Sequence, residues 1–153
     1  MNLLEFIESN EGRQATPYLC PAGYKTIGVG WNIDSNPLPP DIEEYLAKNG
    51  SITEEMIDHL LLISVRHAVA DARVLFPKLD SFSGRRRIAL IDFVFQLGFH
   101  RARTFRKSIK LINEERFGEV EFEMLNSEWA KQTPVRAKRV ASMVGDNNAD
   151  RIS

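Results

Sequence analysis

The 153-residue chain holds a single cysteine, Cys20, so an internal disulfide is excluded, and with it the class of small disulfide-stapled domains. A lone thiol suits synthesis in a reducing cytoplasm. Long apolar runs are missing as well. The longest, Ile88 to Phe95, is interrupted by Asp92 and falls far short of the ~18 residues that a membrane span needs. Residues 1–10 carry Glu5 and Glu8 and no basic segment, which does not read as a signal peptide. Internal repeats and low-complexity stretches are absent. Three histidines, His59, His67 and His100, have no second cysteine near them, so neither a zinc pattern nor a cysteine-hydrolase signature forms. Gly28-Val29-Gly30 lacks the third glycine of a phosphate-binding loop. Asp146, Asn148 and Asp150 match the first ligands of a calcium loop, but Arg151 replaces the glycine that such a loop needs and no glutamate follows. No metal and no cofactor is expected.

What is present describes an ordinary globular chain. At 17.4 kDa, with 43% hydrophobic and 27% charged residues, it is long enough for one domain with a proper core. Folding at that mass buries roughly 17,000 Å² of surface. A monomer that stays off the membrane is expected. The net charge of −1 hides an asymmetry. Residues 1–80 hold 6 basic and 12 acidic side chains, and residues 81–153 hold 14 basic and 9 acidic ones. The second half, with Arg85-Arg86-Arg87, Arg101, Arg103, Arg106, Lys107 and Lys110, attracts polyanions. No nucleic-acid-binding motif accompanies these cations, and the carboxylates of a cell-wall polymer suit them equally.

Periodicity predicts a first helix from an Asn2 cap to Glu11, stopped by Gly12. A β-rich stretch follows, in which Tyr18-Leu19-Cys20 turns through Pro21-Ala22-Gly23 into one strand, Tyr24 to Trp31. Within it Lys25, Ile27, Val29 and Trp31 share a face. Residues 34–50 read as a loop with one short helical turn. Thr53 caps a long helix to Leu75, with Leu61, Val65, Ala68 and Ala72 along its apolar stripe, ended by Pro77. Arg85–Leu97 is apolar nearly all round, as a central buried helix is, and Gly98 stops it. Further helices are predicted over 104–113, 118–127 and 134–144, the last with Thr133 as cap, Pro134 at its first position and Gly145 just past its end. Such a chain is α+β. Its lobes are expected at 12–52 (β-containing), 53–76 (connecting helix) and 77–153 together with 1–11 (helical).

Two features carry chemistry. Glu11 at a helix C-terminus sits at the negative end of the dipole, which favours the protonated carboxyl that a general acid needs. Cys20 and Thr26 have the same parity across the 21–23 turn, so a thiol and a hydroxyl share one hairpin face and hold a water between them or pack as small core groups. Trp129 reads as core, and Trp31, at a strand end, stacks either on sugar or on the neighbouring lobe.

Glu11-Gly12, then Cys20, then Gly23-Tyr24-Lys25-Thr26-Ile27-Gly28-Val29-Gly30 resembles the catalytic segment of the phage-type lysozymes. Val94-Phe95-Gln96-Leu97-Gly98 is similar to that family's central helix, and Trp129 with Gln132-Thr133-Pro134-Val135-Arg136-Ala137-Lys138-Arg139 to its C-terminal signature. The resemblance spans roughly residues 1–145. It implies a two-lobed lysozyme-like fold with a cleft between the lobes. It also implies hydrolysis of the β-1,4 bond between N-acetylmuramic acid and N-acetylglucosamine in bacterial peptidoglycan. Glu11 matches the general acid and Thr26 a water-positioning threonine, while Cys20 stands where many members have aspartate. Phe95, Gln96, Ser108, Gln132 and Arg136 match positions that line the cleft or support the acid, and Arg136 is expected to orient Glu11.

An acid and a water-holding group ~6.5–9.5 Å apart suit an inverting glycosidase. An ordinary cysteine, with pKa ~8.5, is only about 3% thiolate at pH 7, so Cys20 acts as a weak base or orients water through Thr26, with direct attack of a thiolate on the sugar a less favoured route. A lytic transglycosylase, which needs no water and leaves 1,6-anhydromuramic ends, is the first alternative. A wall-binding module without activity is the second. The resemblance further implies an endolysin that waits in the host cytoplasm until a holin-type pore releases it, or a virion-associated enzyme.

Overall fold

A computed structural model describes residues 1–146. Asn148, Asp150 and Arg151, part of the calcium-loop reading, lie outside the described residues. The chain divides by its contacts into two compact units, Met1–Arg66 and His67 onward. Among the described residues there are nine α-helices and one three-stranded antiparallel sheet, an α+β fold as expected.

In the first unit, α1 (Leu3–Glu11) opens with a capping box. Asn2 Oδ1 accepts the Glu5 N–H at 2.9 Å and the Glu5 side chain returns to the Asn2 N–H. Phe6 and Ile7 are its buried residues, and Gly12 (φ +79) ends it. Three strands follow: β1 (Gln14–Leu19), β2 (Lys25–Gly28) and β3 (Trp31–Asn32), in the order β1-β2-β3. The expected single strand Tyr24–Trp31 is broken. Gly28 and Gly30, at φ +66 and +71, reverse the chain, and Trp31 comes back to pair with Ile27. Ile27 and Trp31 therefore oppose each other as partners on neighbouring strands. Trp31 is buried and donates its indole N–H to the Asn36 carbonyl at 2.9 Å, a packed role rather than an open stacking face.

Residues 34–50 are also more regular than expected. They hold α2 (Pro40–Asn49), three turns long, with proline in the first turn, Asp41 and Glu43 at its N-terminal end, Lys48 in the last turn and Gly50 in the left-handed region. The proline run marks a helix start, not a loop. Next is α3 (Glu54–Leu75), capped by Thr53, whose hydroxyl accepts the Met56 N–H at 3.1 Å. At 1.5 Å per residue it is ~33 Å long. The boundary between the two units falls inside it. Arg13 joins the end of α1 to the start of α3, reaching Glu8 and Glu54 at 2.7 Å and Asp58 at 2.9 Å. The contact-based division counts α1 with the sheet, whereas the resemblance groups residues 1–11 with the later helices.

The second unit is helical. Its centre is α4 (Gly84–Leu97), capped by Ser83 and ended by Gly98. Around it lie α5 (Phe99–Ala102), α6 (Arg106–Asn113), α7 (Val120–Leu125), α8 (Glu128–Gln132) and α9 (Pro134–Gly145). Phe93 meets Phe105 and Trp129 edge-to-face at centroid distances of 4.9 and 5.0 Å, which fixes the aromatic part of the core. Two expectations about α9 need correction. Thr133 occupies the cap position, but its hydroxyl does not cap the helix; it donates to the Trp129 carbonyl at 3.1 Å. Gly145 is the last helical residue instead of a left-handed stop. A Cβ there would meet Glu121 Cβ at 3.1 Å and the Phe117 carbonyl at 3.3 Å, so glycine serves close approach.

Candidate active site

Glu11 is the last residue of α1, and its side chain lies against the backbone of Gly30. A Cβ built on Gly30 would stand 3.0 Å from Glu11 Oε2 and 3.2 Å from Cδ. Only a glycine at φ +71 leaves this room. The second chain reversal of the sheet thus forms the floor under the carboxyl.

The first reversal holds Cys20. Its N–H donates to the Tyr24 carbonyl at 2.9 Å and its carbonyl accepts the Gly23 N–H at 2.8 Å, closing the expected Pro21-Ala22-Gly23 turn with Gly23 at φ +85. Tyr18 pairs with Thr26 and Leu19 with Lys25, so Tyr18, Cys20, Tyr24 and Thr26 share one hairpin face. Burial raises the Cys20 pKa, but backbone N–H groups of Tyr24, Ala22 and Gly23 and the Thr26 hydroxyl outweigh it, so the thiol lies below its ordinary range. Thr26 is buried and its hydroxyl stands 2.9 Å from the Tyr24 carbonyl. One hydroxyl has one proton, which serves either that carbonyl or the sulfur. The Tyr18 phenol is shifted up, first by burial and then by the negative charges of Glu11 and Cys20. That phenol therefore lies within electrostatic reach of both.

The remaining expected site residues lie in the second unit. Arg136, on α9, is held by Asp92 of α4 through a two-point pair, Nη2 to Oδ1 at 2.8 Å and Nε to Oδ2 at 3.1 Å. Asp92 is fully buried and the Arg136 side chain is 12% exposed, so this is an interior ion pair in the fork geometry that arginine favours. Gln96 accepts the Trp129 indole N–H at 2.8 Å and donates to the Thr133 hydroxyl at 3.3 Å. Both ends of its amide thus have protein partners, on α8 and at the start of α9. Gln132 accepts from Arg101 at 2.8 Å. Phe95 is half-buried. Ser108 is buried and lines a cavity of about 400 Å³ with Trp129, Phe105, Lys107 and Glu123. Trp129, core as expected, is where the Ser108 cavity and the Gln96 bonds meet.

The structure therefore gathers Tyr18, Cys20 and Thr26 on one hairpin face with Glu11 close by, and separately gathers Asp92, Gln96, Thr133 and Arg136 around α4 and α9. Two of these, Tyr18 and Asp92, were not singled out from the sequence, nor was the role of Gly30 beneath Glu11. Tyr18 has the parity of Cys20, a signal that was available. Asp92 is the lone carboxylate of α4. Gly30 needs the fold to explain it. No group of three or more histidine, cysteine or carboxylate side chains able to hold a metal occurs among the described residues.

The family profile of phage lysozymes matches residues 8–145, and the chain belongs to that family. It is a lysozyme-type glycosidase whose substrate class is peptidoglycan. Two relatives of Dictyostelium discoideum are similar along nearly the whole chain. "Probable T4-type lysozyme 1" is 29% identical over 161 residues, covering 94% of this chain and 93% of the relative. "Probable T4-type lysozyme 2" is 27% identical over 158 residues, covering 93% and 92%.

Proposed function

We propose that the protein is a muramidase that cleaves the β-1,4 bond between N-acetylmuramic acid and N-acetylglucosamine. The observation that carries this reading is the pairing of Glu11, seated on Gly30, with a hairpin face presenting a thiol and a hydroxyl. Glu11, protonated, gives its proton to the leaving glycosidic oxygen. Water held by Cys20 and Thr26 attacks the anomeric carbon and yields its proton to the sulfur. The turn amides that lower the Cys20 pKa support the base role, because they enlarge the thiolate fraction at neutral pH. A carboxylate at this position would be a base over a wider pH range.

In the same reading Phe95, Ser108 and Gln132 contact the glycan or its peptide, and Arg136 is held in place by Asp92. Gln96 acts through Trp129 and Thr133, to which both ends of its amide are bonded. An endolysin released from a host cytoplasm through a membrane pore, acting as a monomer, is the biological setting proposed with it.

The test is lysis of purified sacculi. Glu11→Gln is expected to abolish release of reducing ends, whereas Cys20→Ser retains a measurable fraction. Comparable activity from Glu11→Gln would remove the acid assignment. Sacculi that bind the protein without losing turbidity would point to the wall-binding reading instead.

A further inference from the structure

The hairpin face of Cys20 and Thr26 carries a third polar group whose use is unassigned. Tyr18 is the register partner of Thr26 and lies two residues before Cys20, so the phenol, the thiol and the hydroxyl project the same way. Directly opposed residues hold their Cβ atoms ~4.5–5.5 Å apart, close enough for all three to reach one small molecule. Tyr18 is half-buried, and its hydroxyl has no hydrogen-bond partner among the described residues.

Counting hydrogens shows what is missing from a water held there. A nucleophilic water has two hydrogens to give and two lone pairs, of which one must face the anomeric carbon. A Cys20 thiolate accepts one hydrogen and Thr26 Oγ1 the other. Neither has a proton to offer the second lone pair: the thiolate has none, and the single Thr26 proton goes to the Tyr24 carbonyl at 2.9 Å or to the sulfur. A bound water ordinarily makes two to four such bonds. The uncommitted donor on this face that also lies in the field of Glu11 is the Tyr18 phenol. Tyr24, the other phenol of the face, sits beside the turn and is 51% exposed.

We propose that Tyr18 is a positioning residue for hydrolysis: its phenol donates a hydrogen bond to the water whose hydrogens Cys20 and Thr26 accept, and so aims the free lone pair at the anomeric carbon. The inference rests on the hydrolytic reading above. In the step, the glycosidic C–O bond breaks as Glu11 protonates the leaving oxygen. The water oxygen bonds to the anomeric carbon and its proton passes to the Cys20 sulfur. The phenol keeps its own proton throughout.

Tyr18→Phe keeps the ring and removes only the donor. Steady-state kinetics, melting temperature and mass spectrometry of the digest are measured together. The expected result is a kcat about 10- to 100-fold lower with KM within twofold and the melting temperature little changed. The products are expected to shift from reducing ends toward 1,6-anhydro ends, because the muramyl 6-hydroxyl needs no pinned water. Tyr18→His, which restores a ring N–H, recovers part of kcat, and Tyr24→Phe leaves the product ratio alone. An unchanged kcat and product ratio in Tyr18→Phe would overturn the assignment. So would a loss that tracks the melting temperature with no change in products, or the same product shift in Tyr24→Phe. A wild-type digest holding anhydro ends alone overturns the hydrolytic reading itself, whatever Tyr18 does, so the two failures are distinguishable.

Discussion

A single missing methyl group decides where the acid sits. Gly30 carries a backbone that L side chains rarely adopt, and any Cβ on it enters the space of the Glu11 carboxyl. Gly30→Ala is expected to lose about 1–2 kcal/mol of stability through the positive φ. It should also lose more than tenfold in lytic rate as the carboxyl is pushed aside; a urea titration and a turbidity assay read the two separately. Cys20 makes a second prediction at this scale. Thiolate absorbance near 240 nm, which in this chain reports one residue, should titrate lower than in the unfolded chain. Thr26→Val should move it upward by removing a donor. The activity of a base rises as it deprotonates, so with Cys20 in the proposed base role the acidic limb of the pH–rate profile is expected to follow its pKa. In Cys20→Asp that limb should fall toward the carboxylate range, near ~4. An unmoved limb would mean that another group governs it.

Helices and strands were legible where one local signal sufficed. The Asn2 and Thr53 caps, the Gly12 and Gly98 stops and the buried stripe Leu61, Val65, Ala68 and Ala72 lie as the pattern predicts. Thr53→Ala is accordingly expected to cost about 1 kcal/mol, seen as a lower urea midpoint. Legibility failed where two readings share one composition. Gly28-Val29-Gly30 continues a strand by alternation and reverses the chain by its two positive φ values, and only pairing of Trp31 with Ile27 decides between them. Thr133 has the chemistry of a cap, but a neighbouring carbonyl takes its proton. At the candidate site, the shared hairpin face of Cys20 and Thr26 and the place of Glu11 at a helix end follow from parity and capping, whereas the Asp92–Arg136 pair joins residues 44 positions apart and no local pattern encodes it. That pair anchors α4 to α9. Asp92→Ala removes both bonds of this interior fork and is expected to destabilise the second unit by about 3 kcal/mol in chemical denaturation. A loss below 1 kcal/mol would show that this pair does not anchor the two helices.

At the scale of the whole chain, charge is divided unevenly. Arg103, Arg106 and Lys110 are exposed and make no ion pair among the described residues, in a half whose formal charge is positive. An acidic wall polymer should therefore be held partly by long-range attraction, which salt weakens with a screening length of ~10 Å at 0.1 M. The lytic rate is expected to fall several-fold between 0.05 and 0.5 M sodium chloride (roughly, given that screening), and to fall less in the triple variant Arg103→Gln, Arg106→Gln, Lys110→Gln. Identical salt curves would dismiss the patch. The solitary sulfhydryl has a separate practical consequence. Because every thiol equivalent in a preparation belongs to the Cys20 hairpin, a mild alkylating reagent tests the proposed site by counting: carbamidomethyl incorporation and loss of lysis should advance in step, one label per chain inactivated.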